Sequence, residues 1–183
     1  MWKLALAGAM TLGSNPAQSV TFTHNPYVFL MTCAGGRGTG FKTDHGYISV
    51  HHVTRLGPCF IKGKAVTVTY ADALGDFSTF AVDNMRGGLP VRCTPLYDGE
   101  WVFAQGHARG DPFPQIMALK YSKALTDRVS GPWMVLVYNR VIPGMSGGPI
   151  VDAWGRVVGT VNAYSPDYPI SFSRALKDTP ICQ

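Results

Sequence analysis

The stretch Gly144–Gly159, GMSGGPIVDAWGRVVG, decides the fold of this chain of 183 residues. It places one serine, Ser146, among glycines, and two short apolar strands separated by a turn follow it. A nucleophile that meets a carbonyl carbon needs backbone that turns sharply and leaves room for a substrate, and glycine provides both. The same letters also suit a glycine-rich turn of an all-β protein. A catalytic function therefore depends on a base and an acid elsewhere in the chain.

Composition favours an all-β architecture. The chain has 21 Gly, 13 Pro and 46% hydrophobic residues, and its apolar segments are short and bounded by turn residues. A break near residues 86–90 divides about twelve predicted strands into two groups of six. This layout predicts two antiparallel six-stranded barrels, residues 27–87 and 88–183, preceded by an N-terminal arm of residues 1–26.

Charge and cysteine spacing exclude several function classes. The formal net charge is +5 with 15% charged residues, and no run of Lys and Arg occurs, so we expect no specific nucleic-acid binding. The four cysteines lie far apart, without the spacing of a zinc site. We expect free, buried thiols and a reducing compartment, although a disulfide framework is also possible. The cysteines are Cys33, Cys59, Cys93 and Cys182.

The N-terminal run MWKLALAGAM is short, and the NPAQSV segment downstream is a poor cleavage context for a secretory signal. We therefore expect a packed or membrane-adjacent arm here. No stretch has the length of a membrane-spanning helix.

The base is predicted in SVHHVTRLG, where the strand 46–50 ends in a polar turn. A strand end fixes a side chain firmly and leaves it reachable, as a general base requires. Neighbouring side chains on extended backbone point to opposite faces, so only one of His51 and His52 can face the site. We assign the base to His52.

The acid is predicted in TVTYADALGDFSTFAV, which contains two aspartates. An acid that orients an imidazole is partly buried and held by the scaffold. Asp76 begins an apolar strand and suits that role, whereas Asp72 fits a turn or cap residue. The residues alone favour Asp76 and leave Asp72 open.

These segments resemble the chymotrypsin-like serine proteases, and in particular the protease domain of flavivirus non-structural protein three. The matching segments cover most of residues 27–164, and HVTR and SGGPIVD are fairly specific. The spacing of 24 positions from His52 to Asp76 fits that family, whereas the 70 positions from Asp76 to Ser146 are more than usual and indicate an enlarged loop near residues 106–114. The segments are GTGF (38–41), HHVTRLG (51–57), GKAV (63–66), YADALGDF (70–77) and GMSGGPIVDAWGRVVGTVNAY (144–164).

The resemblance implies a catalytic triad of His52, Asp76 and Ser146, with the backbone N–H groups of Gly144 and Ser146 as the oxyanion hole. It also implies a substrate pocket built from Arg140 and from the strand Thr160, Val161, Asn162, Ala163 and Tyr164. Family members carry an acid six positions before the serine and cut after basic residues, but Arg140 stands there in this chain. A cation at the pocket floor would repel Lys and Arg, so we expect a non-basic residue before the cleaved bond. An Arg140 that turns to solvent is the alternative.

The resemblance further implies a viral polyprotein substrate and a location at the cytosolic face of the endoplasmic reticulum in the host cytoplasm. Neither a metal nor a small-molecule cofactor is expected. Relatives need a polypeptide cofactor strand from a small membrane-bound protein, and a C-terminal helicase domain accompanies the protease in the full-length protein. We therefore expect weak activity from the chain alone.

Two other functions fit the same residues. One is a secreted or periplasmic trypsin-like protease whose cysteines are paired. The other is a catalytically inactive barrel that binds RNA or proteins, which the net charge of +5 favours.

Overall fold

The computed structural model describes residues 21–22, 25–82 and 86–183. A two-residue strand, β1 (Thr21–Phe22), pairs with a strand of the C-terminal half. Of the predicted N-terminal arm of residues 1–26, the structure describes residues 21–22, 25 and 26, and the rest lies outside the described residues.

The first sheet is an open half-barrel of seven antiparallel strands in the order β6-β5-β2-β3-β4-β8-β7. Period-two alternation builds it: Phe29, Met31 and Cys33 of β2 face the interior, while Thr32 between them is exposed. The strands are β2 (Val28–Cys33), β3 (Gly36–Thr43), β4 (Gly46–Ser49), β5 (Cys59–Ile61), β6 (Lys64–Ala65), β7 (Thr67–Asp72) and β8 (Phe77–Ala81).

The second sheet closes into a ring of six antiparallel strands, because its first two strands also pair with each other, and β1 adds to its outside. Closure removes the free sheet edges, which explains why the strands carry so few charged residues. The strands are β9 (Trp101–Gly106), β10 (Gln115–Tyr121), β11 (Trp133–Val137), β12 (Pro149–Val151), β13 (Val157–Tyr164) and β14 (Ser171–Ala175), in the ring order β9-β10-β11-β14-β13-β12.

The all-β double-barrel prediction is therefore confirmed, with one barrel closed and the other half open. The described α-helices are single turns, α1 (His51–Thr54) and α2 (Lys123–Thr126). At the C-terminal end, β14 continues to Ala175, and a 3₁₀ turn (Leu176–Asp178) follows it. None of the helices in the described part of the chain has the length and apolar character to cross a membrane.

The turn inside the opening motif is fixed by the buried carboxylate of Asp152. One of its oxygens accepts hydrogen bonds from the backbone N–H groups of Trp154 and Arg156, each at 3.0 Å. The other oxygen lies 2.9 Å from Arg156 Nε. These hydrogen bonds satisfy the backbone N–H groups of the turn between β12 and β13, and they fix the two strands that follow Ser146.

The two sheets share an apolar core cluster. Phe41 and Ile48 of the first sheet pack with Val151 and Val157 of the ring, and the side chains of all four are almost completely buried. This contact fixes the position of one sheet relative to the other. Residues from both sheets can therefore form one site in the cleft between them.

The four cysteines form two disulfides, so the expectation of free thiols is wrong. Cys33 and Cys59 stand directly opposite each other on the paired strands β2 and β5. Cys93 and Cys182 join the segment before β9 to the C-terminal end. The register of β2 with β5 brings the first pair together, whereas the second pair joins two segments that lie outside the strands.

The pairing predicts that denatured, unreduced protein contains no free thiol and that four appear after reduction. A thiol-reactive chromophore in denaturant measures both values. Free thiols in the unreduced sample would contradict the disulfide pattern.

Candidate active site

His52 and Asp76 are held together at the edge of the first sheet. His52 lies on α1, which begins two residues after β4 ends, and its Nδ1–H donates to Asp76 Oδ2 at 2.7 Å. The backbone N–H of His52 also donates to Asp76 Oδ1 at 2.8 Å. Asp76 adopts a left-handed backbone conformation with φ of 45°, which aspartate tolerates better than most residues. This conformation ends the β7–β8 turn with both carboxylate oxygens facing His52.

A third donor to Asp76 comes from the opposite sheet. Asn162 of β13 is buried, and its Nδ2 donates to the backbone oxygen of Asp76 at 2.8 Å and to Oδ2 at 3.0 Å. Asn162 Oδ1 accepts hydrogen bonds from Thr160 Oγ1 at 2.8 Å and from the Arg174 N–H at 2.9 Å. The Asn162 amide is therefore fixed in one orientation, and it holds the backbone and the carboxylate of Asp76 in place from the side of the ring.

These contacts change the acidity of Asp76. Burial alone would raise the pKa of its carboxyl group, but the hydrogen bonds from the His52 side chain and backbone, the charge of His52 and the Asn162 amide together hold the pKa below its usual value. The group is therefore a carboxylate throughout the neutral range. It can only accept hydrogen bonds, which fixes the proton of the imidazole on Nδ1 and leaves Nε2 free to accept one.

The two alternative candidates, Asp72 and His51, do not take part in this hydrogen-bonded pair. Asp72 Oδ1 accepts the backbone N–H of Gly75 at 2.9 Å, which is the turn role expected for it. His51 makes no hydrogen bond to Asp76, and its Nδ1 is buried without a partner in the described part of the chain.

The Ser146 loop exposes two backbone donors. The N–H groups of Met145, Gly147 and Gly148 donate to Ile142, Val161 and Met145 oxygens at 2.8–3.0 Å. Among the described residues, the N–H groups of Gly144 and Ser146, on either side of Met145, have no acceptor. Two unpaired donors in the loop that carries the serine match the requirement for an oxyanion hole.

Gly144 has no substitute in this loop. Its φ is +95°, and a Cβ there would lie 2.5 Å from the His107 backbone oxygen and 2.7 Å from the Arg109 nitrogen. Thr39 Oγ1 donates to the Gly144 oxygen at 2.9 Å, and the Arg109 N–H donates to the Pro143 oxygen at 2.6 Å. The first sheet and the 107–114 loop, defined here as the β9–β10 connection, thus hold the loop from two sides.

Ser146 reaches the first sheet through its backbone: its oxygen accepts the Thr39 N–H at 2.8 Å. Its hydroxyl makes no hydrogen bond to His52 or to another described residue. The structure therefore joins the predicted base and acid directly, and it brings the serine to the same cleft without the last hydrogen bond. Such contacts are often loose in an enzyme without substrate.

The residues of the predicted substrate pocket differ in their exposure, and their role in binding substrate stays a prediction. Thr160, Val161 and Asn162 are all buried: Val161 packs in the ring core, and Thr160 and Asn162 bond to each other. Of that strand only Ala163 and Tyr164 are exposed. Within β13, the side chains that a substrate could contact without rearrangement are therefore those of Ala163 and Tyr164.

Arg140 is exposed, as in the solvent-turned alternative. Its Nη1 donates to the Pro166 oxygen at 2.6 Å, and its guanidinium lies 5.8 Å from the centre of the Tyr164 ring. Water screens an exposed cation, so the repulsion argued for a buried one is much weaker here.

Residues 38–159, more than half of the chain, match the sequence pattern of the trypsin-like peptidase domain. The chain belongs to the trypsin-like peptidases. It is a serine endopeptidase with the chymotrypsin-like fold. No match was found among curated protein sequences.

Solved bacterial proteases share the fold. An inactive-form mutant of Rv3671c from M. tuberculosis H37Rv is similar with a TM-score of 0.69 and 21% identity, over 82% of this chain and 81% of that one. A serine endoprotease from Yersinia pestis gives a TM-score of 0.67 at 15% identity, over 82% of this chain and 58% of its own. The HtrA-type protease AlgW with tripeptide also gives 0.67, at 18% identity, over 83% and 57%. At these identities the likeness concerns the fold.

The lowered pKa of Asp76 predicts a pH-dependent contribution to stability. A carboxyl group whose pKa is lower in the folded than in the unfolded state stabilises the fold above its unfolded pKa, and this stabilisation is lost as pH falls through the folded pKa. We expect Asp76→Asn to reduce the free energy of unfolding by about 1–3 kcal/mol at neutral pH, with the difference fading as pH falls below the ordinary carboxyl pKa of about 4 and through the lower folded-state pKa. Urea unfolding across this range measures it.

The matched control is Asp127→Asn, which removes an exposed ion pair with Lys123. This change is expected to have little effect on stability at any pH, because water screens an exposed ion pair. An Asp76→Asn difference that stayed constant with pH would contradict the assignment.

Proposed function

We propose that this chain hydrolyses peptide bonds with a His52-Asp76-Ser146 triad. The observation that carries the proposal is the double hydrogen bond from His52 to Asp76, in a cleft that also contains the Ser146 loop with its two unpaired N–H groups. The hydrogen bonds from Asn162 support it, since an orienting acid must be held by the scaffold.

The chemistry follows from the proton positions. His52 Nε2 accepts the hydroxyl proton of Ser146 while Oγ attacks the scissile carbonyl carbon. Asp76 stays ionised and stabilises the imidazolium that forms. His52 then gives the proton to the leaving amine as the C–N bond breaks, and an acyl-enzyme ester remains. A water molecule, deprotonated by His52, attacks that ester and regenerates Ser146.

The Gly144 and Ser146 N–H groups would hold the negative oxygen of each tetrahedral intermediate. Loss of one such donor commonly costs about 3 kcal/mol of transition-state stabilisation. The hydrogen bonds around this loop fix its backbone before substrate arrives, so no reorganisation is needed at the moment of reaction.

A fluorophosphonate probe tests the triad. It is expected to label Ser146 of the wild-type protein, and labelling should vanish in Ser146→Ala and fall by about 10⁴-fold in His52→Ala. His51→Gln is the matched control, because its ring does not contact Asp76, and it should keep near-normal labelling. Unchanged labelling of His52→Ala, or labelling at a different residue, would contradict the triad.

We further propose that the enzyme works in an oxidising compartment, as a secreted or periplasmic protease. The two disulfides support this, since such bonds persist outside the reducing cytosol. An exported form should be recovered with both disulfides and higher thermal stability than the same chain kept in the cytosol of the same host. Equal stability of the two preparations would count against this location.

Viral polyprotein processing is the second candidate, and the motif resemblance over most of residues 27–164 favours it. In that role the protease would work at the cytosolic face of the endoplasmic reticulum with a membrane-bound polypeptide cofactor and a C-terminal helicase domain. Two disulfides are unusual for a protein that faces the cytosol.

The two candidates differ in their need for a cofactor. The viral reading predicts weak hydrolysis of a peptide library by the chain alone and a rise of at least about tenfold on addition of the cofactor segment, because a missing strand leaves the half-barrel incomplete. The secreted reading predicts full activity from the chain alone. Steady-state kinetics with and without the segment decide between them.

A further inference from the structure

One side of the cleft carries arginine side chains that have no role in the mechanism described above. The acyl portion of a substrate would lie against Ala163 and Tyr164 at the end of β13. On the other side of Ser146 stand β3 and the 107–114 loop. Thr39 of β3 bonds to the backbone of both Gly144 and Ser146. In a peptide substrate that crosses Ser146 from the β13 side, the residues after the cleaved bond would therefore lie against these two segments.

Arg37 belongs to this leaving-group side. Side chains two positions apart on a strand share a face, so Arg37 points the same way as Thr39, toward the Gly144 loop. A Cβ on Gly110 would lie 2.8 Å from Arg37 Cδ and 3.0 Å from its Nη1, and Gly110 itself packs against Gly144. The guanidinium of Arg37 thus covers the loop that touches the oxyanion site.

Arg109, which belongs to the 107–114 loop, adds a second cation on this side of the cleft. Its backbone N–H donates to the Pro143 oxygen, one residue before Gly144, and its φ is 56°. The left-handed conformation gives the segment a sharp turn at this residue, whose side chain is exposed.

Neither arginine is neutralised within the described part of the chain. No carboxylate lies within 4.0 Å of either guanidinium, and neither one makes a side-chain hydrogen bond there. The nearest acid in sequence, Asp111, uses its Oδ1 to accept the Phe113 N–H at 2.9 Å. By contrast, Arg92, Arg156 and Arg174 each have an acidic partner.

Resting on the function proposed above, we propose that Arg37 and Arg109 select substrates with an acidic side chain within the first three residues after the cleaved bond. A carboxylate at this place would find two cations without competing partners. Bidentate arginine–carboxylate pairs are among the stronger polar contacts in proteins. Because the pair is exposed, we expect about a fivefold preference for each arginine, and the preference should weaken with added salt.

Acyl transfer isolates this side of the cleft. An ester substrate first forms the acyl-enzyme at Ser146, and an added tripeptide amide then competes with water for it. The amine of the tripeptide attacks the ester carbon, His52 accepts its proton, the ester C–O bond breaks, and Ser146 regains a proton as the new peptide bond forms. The ratio of transfer to hydrolysis reports binding on the leaving-group side alone.

The probes are alanine tripeptide amides with Asp or Asn at position one, two or three. We expect the Asp peptide to exceed its Asn counterpart by about fivefold or more at one position at least, and Arg37→Gln with Arg109→Gln to bring that ratio close to one. Lysine at both places should retain part of it. The matched control is Arg86→Gln, which should leave the ratio unchanged. Arg86 precedes two glycines that lie close to Tyr27 and Thr43, at the other end of β3.

Two results would overturn the proposal: wild-type ratios near one at all three positions, or a preference that survives the double substitution. Both leave the triad intact, because the ester is still consumed. If the ester is not consumed and the fluorophosphonate does not label Ser146, the proposed function itself fails and the selectivity fails with it.

Discussion

The carboxylate of Asp76 is the point at which the two halves of this protein meet chemically. It accepts two hydrogen bonds from His52 in the half-barrel and one from Asn162 in the ring. All three donors must be correctly positioned for the imidazole to point Nε2 into the cleft. The apolar cluster between the sheets and the turn held by Asp152 keep the donors in position, so the site depends on the packing of both sheets.

Much of this arrangement could be predicted because it is local. The strands around the serine, the strand end before His52 and the turn before Asp76 are each defined by residues that are adjacent in sequence. Ser146 and Gly144 likewise lie in one loop. A short pattern of glycines and apolar residues is enough to predict such elements.

The remaining features depend on contacts distant in sequence. The resemblance assigns Asn162 to the substrate pocket, and nothing in the sequence shows that its amide contacts a turn 86 residues earlier. The Cys33–Cys59 disulfide depends on the register of β2 with β5, which the spacing of the cysteines does not show. Arg140 stands where relatives carry a pocket acid, yet Pro166 holds its guanidinium outside.

The site requires that Asp76 hold the His52 proton on Nδ1. Proton NMR of protein with ¹⁵N-labelled histidine can observe this proton, since a proton shared with a carboxylate shifts far downfield and exchanges slowly. We expect one such Nδ1–H signal, present in the wild type and in Ser146→Ala and absent in Asp76→Asn. A spectrum without this signal, or a signal that persists in Asp76→Asn, would contradict it.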